Sequence, residues 1–138
     1  MRKYILEMNE DQAQILTDAL EFYARMSIGQ WNELAELVLN LDDDEYVDKE
    51  RKMVNRLMKL RYIAFPDLPI DASYSVTSKP LACLAWELYT VVRHRIAWTN
   101  HPEGGMTVNF DPPISFTGVP LAECKAVERQ EEEGGEED

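Results

Sequence analysis

The sequence predicts an α+β fold in which about four helices dominate and a small antiparallel β-sheet packs to one side. Apolar residues recur at helical spacing in four separate stretches of the chain. Two shorter stretches, residues 3–8 and 106–110, carry the alternation that is typical of strands. The 138 residues and a hydrophobic fraction of 45 % fit one globular domain, which we place at residues 1–127.

The first strand leads directly into the first helix. Tyr4 and Leu6 lie on one side of the predicted strand. Asn9 then offers an N-cap, and Gln12 stands three residues later, as in a capping box. The apolar stripe that follows predicts a core-facing helix over residues 10–26.

Two more helices are predicted before residue 63. Gly29 ends the first helix as a C-cap or a kink, and apolar spacing resumes over residues 30–41. The acidic run at residues 42–44 ends that helix and precedes the next one, over residues 45–62. Carboxylates are favoured there because they lie beside the free N–H groups of a helix start.

The fourth helix is predicted to be the buried centre of the domain. A long connection, residues 63–77, precedes it and includes a candidate short strand at residues 74–77. Ser78 is expected to cap the helix, and Pro80 fits its first turn. From residue 81 to 92 the chain is apolar almost all round, as is usual for a helix enclosed by its domain.

The second part of the predicted sheet follows this helix. Residues 106–110 form a strand, the run Asp111-Pro112-Pro113 turns the chain, and residues 114–116 pair with the strand as a hairpin. A short final helix is expected at residues 120–125.

The chain is acidic, with a formal net charge of -12, and part of the excess lies in residues 128–138, ERQEEEGGEED. That stretch lacks apolar side chains, so we expect a disordered, solubilising tail. The two cysteines are Cys83 and Cys124. No secretory signal is visible, and no apolar run reaches the ~20 residues needed to cross a bilayer. We therefore expect a cytoplasmic, reduced protein with no membrane partner.

A cluster of cations stands out against this acidic background, since six of the 14 basic residues lie within residues 49–61. Lys49, Lys52, Arg56 and Lys59 recur at a spacing that places them along one side of the third helix. This face predicts a site for a small anionic ligand, for which two or three cations suffice. Nucleic acid is a less suitable partner, because an acidic protein repels a polyphosphate at long range. The alternative is a solvated face paired with the acids of residues 42–48 or with a neighbouring subunit.

A second candidate group ends the fourth helix. Arg93 and Arg95 are suited to bidentate contact with phosphate, and Trp98 lies on the same face as His94, where its ring can stack on a base. The alternative is a charged helix end that covers a core tryptophan.

A third candidate group surrounds Gly29. Arg25 and Gln30 carry groups that read phosphates or base edges, and Trp31 can stack on a base. The alternative is an ordinary corner between two helices with core aromatic residues.

Metal and catalytic patterns are absent from the sequence. The histidines and cysteines lack the spacing of a zinc site, and the acids of residues 42–45 lack the glycine of a calcium loop. No nucleophile elbow and no glycine-rich phosphate loop is present. We therefore expect no metal and no cofactor, and a binding protein rather than an enzyme. A further alternative is a small nucleotide hydrolase that uses His94 together with a nearby acid.

Two segments resemble a group of small, acidic, uncharacterised proteins encoded by bacteriophages and prophages. They are ALEFYARMSIGQWNEL (residues 19–34) and VVRHRIAW…EGGMTVNFDPP (residues 91–113). The Gly-Gln-aromatic corner and the Arg-His-x-x-Ala-Trp helix end carry the resemblance. It implies a protein that acts in an infected bacterial cell, where small non-enzymatic phage proteins often block host defence. It assigns no functional residue.

The leading hypothesis is a phage accessory protein that antagonises antiviral signalling by sequestering a small nucleotide messenger. Such sites often lie between subunits, so a homo-oligomer is expected. The residues expected to hold phosphates are Arg93, Arg95, Lys52, Arg56 and Lys59, and those expected to stack on a base are Trp98 and Trp31. The alternative is an acidic inhibitor that binds a host defence protein or a nucleic-acid-binding protein.

Overall fold

The computed structural model describes residues 1–128 and contains four α-helices and two short 3-10 helices. The α-helices are α1 (Glu10–Ser27), α2 (Glu33–Val38), α3 (Tyr46–Ala64) and α4 (Pro80–Asn100). The 3-10 turns are Val76–Ser78 and Val108–Phe110. The predicted tail, except for its first residue, lies outside the described residues.

The four predicted helices are present, with shifted ends. The capping box of α1 is confirmed: the Asn9 side chain accepts from the Gln12 N–H at 2.9 Å, and the Gln12 side chain accepts from the Asn9 N–H at 3.0 Å. The second helix is shorter than predicted at both ends, because residues 28–29 and 31–32 form turns and the chain is already extended at Leu39. Ser78 does not cap α4; it ends a 3-10 turn that is capped by the Ser75 side chain.

The main packing unit is the pair of α1 and α4. The buried apolar side chains are small, and α4 supplies most of them, as expected for the central helix. They are Ala24, Ile28, Ala35, Ala82, Cys83, Ala85, Val91 and Val92. No large side chain in the described part of the chain is fully buried, so apolar packing alone is a weak source of stability here.

The predicted α+β class is wrong, because residues 1–128 contain no β-strand and no sheet. The backbone groups that a hairpin would need are bonded to α4 instead. The carbonyl of Asn109 is 3.1 Å from His94 Nδ1, and the carbonyl of Phe110 accepts from Trp98 Nε1 at 3.2 Å. The N–H of Phe116 donates to the carboxylate of Glu87. Hydrogen bonds to side chains of α4 thus take the place of the inter-strand hydrogen bonds that a hairpin would form.

Two other predicted elements are also absent. Residues 74–77 do not form a strand, since the Tyr74 N–H donates to the Ile28 carbonyl at 2.9 Å and the chain then enters a 3-10 turn. Residues 120–125 are not helical, and the Cys124 carbonyl accepts from Arg95 Nε at 2.8 Å.

Arg61 is a buried cation that joins three separate parts of the chain. Its side chain, 3 % exposed, points inward from α3. Nε donates to the Gly29 carbonyl at 2.7 Å, and Nη2 donates to the carbonyls of Pro69, at 3.1 Å, and Ala72. Because neutral carbonyls satisfy the guanidinium, the turn after α1 and the loop after α3 are both tied to this one side chain.

Glu87 has the same role for the segment that follows α4. This carboxylate is 3 % exposed and accepts from the N–H groups of Phe116 and Thr117, the latter at 2.8 Å, and from the Thr117 hydroxyl at 2.9 Å. Burial raises the pKa of Glu87, but these hydrogen bonds stabilise the anion more strongly, so its pKa lies below the usual value.

Arg61→Met is expected to lower the free energy of unfolding by about 3 kcal/mol, because three carbonyls lose their donor. Arg56→Met, on the outward side of the same helix, is the matched control and should change it by less than about 0.5 kcal/mol. Urea denaturation followed by circular dichroism measures both. Equal, small losses in the two variants would contradict the role given to Arg61.

Glu87→Gln is expected to destabilise the protein at neutral pH and to match the wild type in acid. The lowered pKa means that ionised Glu87 stabilises the fold above about pH 4.3, the unfolded value. That stability is lost as the pH falls through the lower folded value, because the unfolded chain binds the proton first. Urea midpoints measured from pH 7 to pH 3 test this. Glu128→Gln, at an exposed residue, is the control, and a Glu87→Gln deficit that stays constant with pH would contradict the prediction.

Candidate functional site

The cations of α3 are divided between ion pairs, the outward surface and the interior. Lys49 Nζ is 2.6 Å from Asp43. Arg51 and Lys52 both pair with Asp48, at 2.7 Å and 2.9 Å. These contacts match the alternative in which the face pairs with the acids of residues 42–48. The exposed side chains of Arg56 and Lys59 lie on the same outward side.

The Arg25 group forms a network that joins α1 to the loop before α4. Arg25 Nε donates to Glu21 at 2.9 Å and Nη1 donates to Gln30 at 2.6 Å, while its guanidinium lies 5.7 Å from the Trp86 ring. Gln30 in turn donates to Ser73 at 3.3 Å. This arrangement matches the structural alternative of a corner between helices.

Trp31 belongs to the same corner. Its Nε1 donates to the Met26 carbonyl at 3.0 Å, and its ring meets Phe65 edge-on at 5.9 Å. Phe65 meets Tyr74 in the same way at 5.6 Å. The Trp31 ring therefore packs against the start of the loop after α3 and joins the turn after α1 to that loop.

A cavity of about 400 Å³ lies between α1, α4 and residues 101–110. Arg93 reaches it from α4, where the Tyr89 hydroxyl accepts from Nη1 at 3.1 Å and the guanidinium lies 4.8 Å from the Tyr89 ring. Phe110 forms part of the opposite wall. Within the described residues no carboxylate lies within 4.0 Å of the Arg93 guanidinium, so this half-buried cation has no ion-pair partner there.

Two carboxylates give this cavity a mixed charge. Asp18 and Glu21 line it from α1. Asp18 accepts from the Gln14 side chain at 3.0 Å, and Glu21 is paired with Arg25 at 2.9 Å. With Arg93 as the facing cation, the cavity carries both a donor for an anionic group and acceptors for amino or hydroxyl groups.

A second, smaller cavity of about 270 Å³ lies between α4 and residues 113–125. His94 and Arg95 line it, together with Cys124 and Lys125. Arg93 and Arg95 thus reach different cavities. Neither cavity is lined by Lys52, Arg56 or Lys59, so the described structure does not bring the α3 face and the α4 arginines into one pocket.

Trp98 and His94 fix the wall of the larger cavity. The Trp98 ring meets Phe110 edge-on at 5.4 Å, and its Nε1 bonds the carbonyl of the same residue. His94 bonds the Asn109 carbonyl through Nδ1, a contact that requires the proton on this nitrogen. These two residues hold residues 109–110 in place, which is a positioning role.

The sequence predicted Arg93 as a ligand-binding residue but did not predict the residues around it. Tyr89 lies four residues before Arg93 on α4, a spacing that places both side chains on one face and could have indicated their contact. Asp18 and Phe110 gave no signal, because only the pairing of α1 with α4 and the 3-10 turn bring them to the cavity. In residues 1–128 no three metal-ligating side chains cluster.

None of the helices in the described region is both long enough and apolar enough to span a membrane. Comparison with known proteins found no family model, no curated protein and no solved structure that matches the chain.

Proposed function

We propose that the protein binds a small nucleotide of low charge in the cavity between α1 and α4. In the setting implied by the phage resemblance, it sequesters a nucleotide immune signal of the host and so antagonises antiviral defence. The observation that carries the proposal is the half-buried Arg93 facing a cavity of about 400 Å³ without a carboxylate partner among the described residues. The volume falls in the range of pockets for small molecules.

Arg93 is suited to hold an anionic group. A hydrogen bond to a charged partner contributes about 1.5 to 3 kcal/mol, more than a neutral one. Tyr89 supports the guanidinium through its hydroxyl and its ring face, so the side chain is already oriented before a ligand arrives. Such preorganisation reduces the entropy lost on binding.

The carboxylates of the cavity restrict the charge of the ligand. Asp18 and Glu21 face the same space as the single cation Arg93. A triphosphate would bring several negative charges close to these two carboxylates, and like charges a few ångströms apart repel each other. A ligand with one phosphate, whose base and sugar offer N–H and O–H donors to the carboxylates, fits this charge pattern.

The same geometry separates the binding hypothesis from the hydrolase alternative. His94 lies outside the Arg93 cavity and is bonded to a backbone carbonyl. His101 does line the cavity, and its ring nitrogen is 3.7 Å from the exposed Glu103. Neither arrangement orients a base toward Arg93, so binding is the function that the contacts favour.

Arg93→Ala is expected to weaken nucleotide binding at least ten-fold, about 1.4 kcal/mol, because the anionic group loses its partner. The protein is incubated with a panel of cyclic mononucleotides, ADP-ribose-type nucleotides and ATP. Released ligand is identified by mass spectrometry, and affinity is measured by calorimetry. A cyclic monophosphate should bind more tightly than ATP.

Arg56→Ala is the control for this experiment, since Arg56 lies on the outward side of α3 and lines neither cavity. It should bind as the wild type does. Equal binding by Arg93→Ala and the wild type, or an equal loss in both variants, would contradict the proposed site. Recovery of a cleaved nucleotide would indicate the hydrolase instead.

A second candidate function is the capture of a host protein by the surface that runs from the end of α2 through the connection to the first turn of α3. Leu41 is 78 % exposed and Val47 is 77 % exposed, on either side of the acidic residues 42–44. Leu37 and Val38, at the end of α2, are exposed as well. Apolar side chains bordered by carboxylates suit a partner with a basic, partly apolar surface. This supports the alternative of an acidic protein-binding inhibitor.

The double variant Leu41→Asn, Val47→Asn is expected to lose that partner while the fold survives, because both side chains are exposed. This prediction is tested by affinity capture from a lysate of bacteria, followed by binding measurements with the purified partner. Ile15→Asn, which changes an equally apolar, exposed residue of α1, is the control. Unchanged capture by the double variant would exclude this segment as the interface.

A further inference from the structure

Residues 3–8, the predicted first strand, have the pattern of a strand and no partner in the described chain. They belong to no helix, turn or strand, and all but Met8 are exposed. Tyr4 is 89 % exposed and Ile5 is 94 % exposed. A run of β-branched, aromatic and aliphatic residues that leaves its backbone unpaired is a template for pairing with another strand.

We propose that residues 3–7 pair with the same residues of a second copy, as a two-stranded antiparallel ribbon with Ile5 on the two-fold axis. In that register Lys3 of one chain faces Glu7 of the other, twice, and Tyr4 faces Leu6, twice. Opposite charges and aromatic–aliphatic pairs across neighbouring strands both stabilise a sheet. The segment is thus complementary to itself, which is what an interface around a two-fold axis requires.

The charges also select the direction of the pairing. In a parallel, in-register ribbon Lys3 would face Lys3 and Glu7 would face Glu7. Like charges directly opposite one another are destabilising. In the antiparallel ribbon Lys3, Ile5 and Glu7 share one face, while Tyr4 and Leu6 share the other.

A two-stranded ribbon alone is marginally stable in water, so its apolar face needs cover. The side chain of Asn100, at the end of α4, donates to Glu10 at 3.2 Å, which places the start of α1 beside the segment that follows α4. That segment carries Met106 and Val108, both exposed. The ribbon face of Tyr4 and Leu6 can bury these side chains, and burial of apolar surface then adds to the pairing.

The inference is independent of the nucleotide proposal, since none of residues 3–8 lines either cavity. The sequence predicts a homo-oligomer, and the proposed interface of that oligomer is a pair of strands from two copies of this chain. The ribbon would also supply β-structure, which residues 1–128 of the single chain lack.

A charge exchange tests the register. Sedimentation analysis over a series of protein concentrations is expected to show a dimer of the full chain. K3E places glutamate opposite Glu7, and E7K places lysine opposite Lys3, so each should raise the dimer dissociation constant about ten-fold or more (about 1.4 kcal/mol). The double variant K3E/E7K restores opposite charges and should restore the wild-type value.

The two single variants distinguish local pairing from the net charge of the protein. K3E makes the chain more acidic and E7K makes it less so, and general repulsion would therefore weaken the first dimer and strengthen the second. Strand pairing weakens both. Lys59→Glu, a charge reversal on the outward side of α3, is the control and should leave the dimer unchanged.

Ile5→Pro and Leu6→Pro add a test that does not depend on charge. The N–H groups of neighbouring strand residues point to opposite edges, so one of the two prolines must remove ladder donors and should convert the protein to monomer. Circular dichroism of each variant confirms that the helices persist. A monomeric wild type, a dimer that tolerates both prolines, or a double charge variant that stays as weak as the single variants would overturn the proposal.

Discussion

The Arg61 guanidinium holds α3 to the rest of the chain through three carbonyl oxygens that belong to two distant loops. Gly29 supplies one of these oxygens, and its φ of 93° is a backbone conformation that favours glycine. A Cβ at this position would lie 2.8 Å from the Leu68 side chain and 3.4 Å from Arg61 Nε. The turn after α1, the inward direction of Arg61 and the course of the loop after α3 are therefore mutually dependent.

Glu87 applies the same principle with the opposite charge. Its carboxylate takes up N–H and O–H donors of the irregular segment after α4, as Arg61 takes up the carbonyls of the loop after α3. A buried charge is costly to leave unsatisfied, so each of these loops can adopt few other conformations without a large loss of stability. The buried apolar side chains are alanine, valine, cysteine and one isoleucine, so these polar contacts fix loop conformations that larger apolar residues would otherwise fix by packing.

Local patterns predicted the helices, and long-range contacts decided the rest. The capping box at Asn9 and the apolar surface of α4 depend on residues a few positions apart, which a sequence displays directly. The conformation of residues 106–116 depends on α4, because His94, Trp98 and Glu87 form hydrogen bonds with backbone groups that a hairpin would have used. Alternation indicates a strand only where the ladder groups remain free to pair.

The candidate site shows the same limit. Helical spacing placed Lys52, Arg56 and Lys59 on one face of α3, opposite Arg61, but spacing does not reveal which cations face a cavity. Arg93 became the strongest candidate through its position between α1 and α4, with Tyr89 beneath it and carboxylates of α1 across the space.

The construction of the cavity links ligand binding to the order of the segment after α4. One wall consists of α1 and α4, which pack against each other, whereas the other wall is an irregular segment held largely by polar contacts from α4. Segments with few buried apolar contacts open at a lower free energy than a packed helix pair. A ligand that contacts both Arg93 and the Phe110 wall binds only the closed arrangement, and it must stabilise that arrangement by mass action. The affinity of the proposed site would therefore depend on His94 and Trp98, which hold residues 109–110, as well as on Arg93, which we propose contacts the ligand.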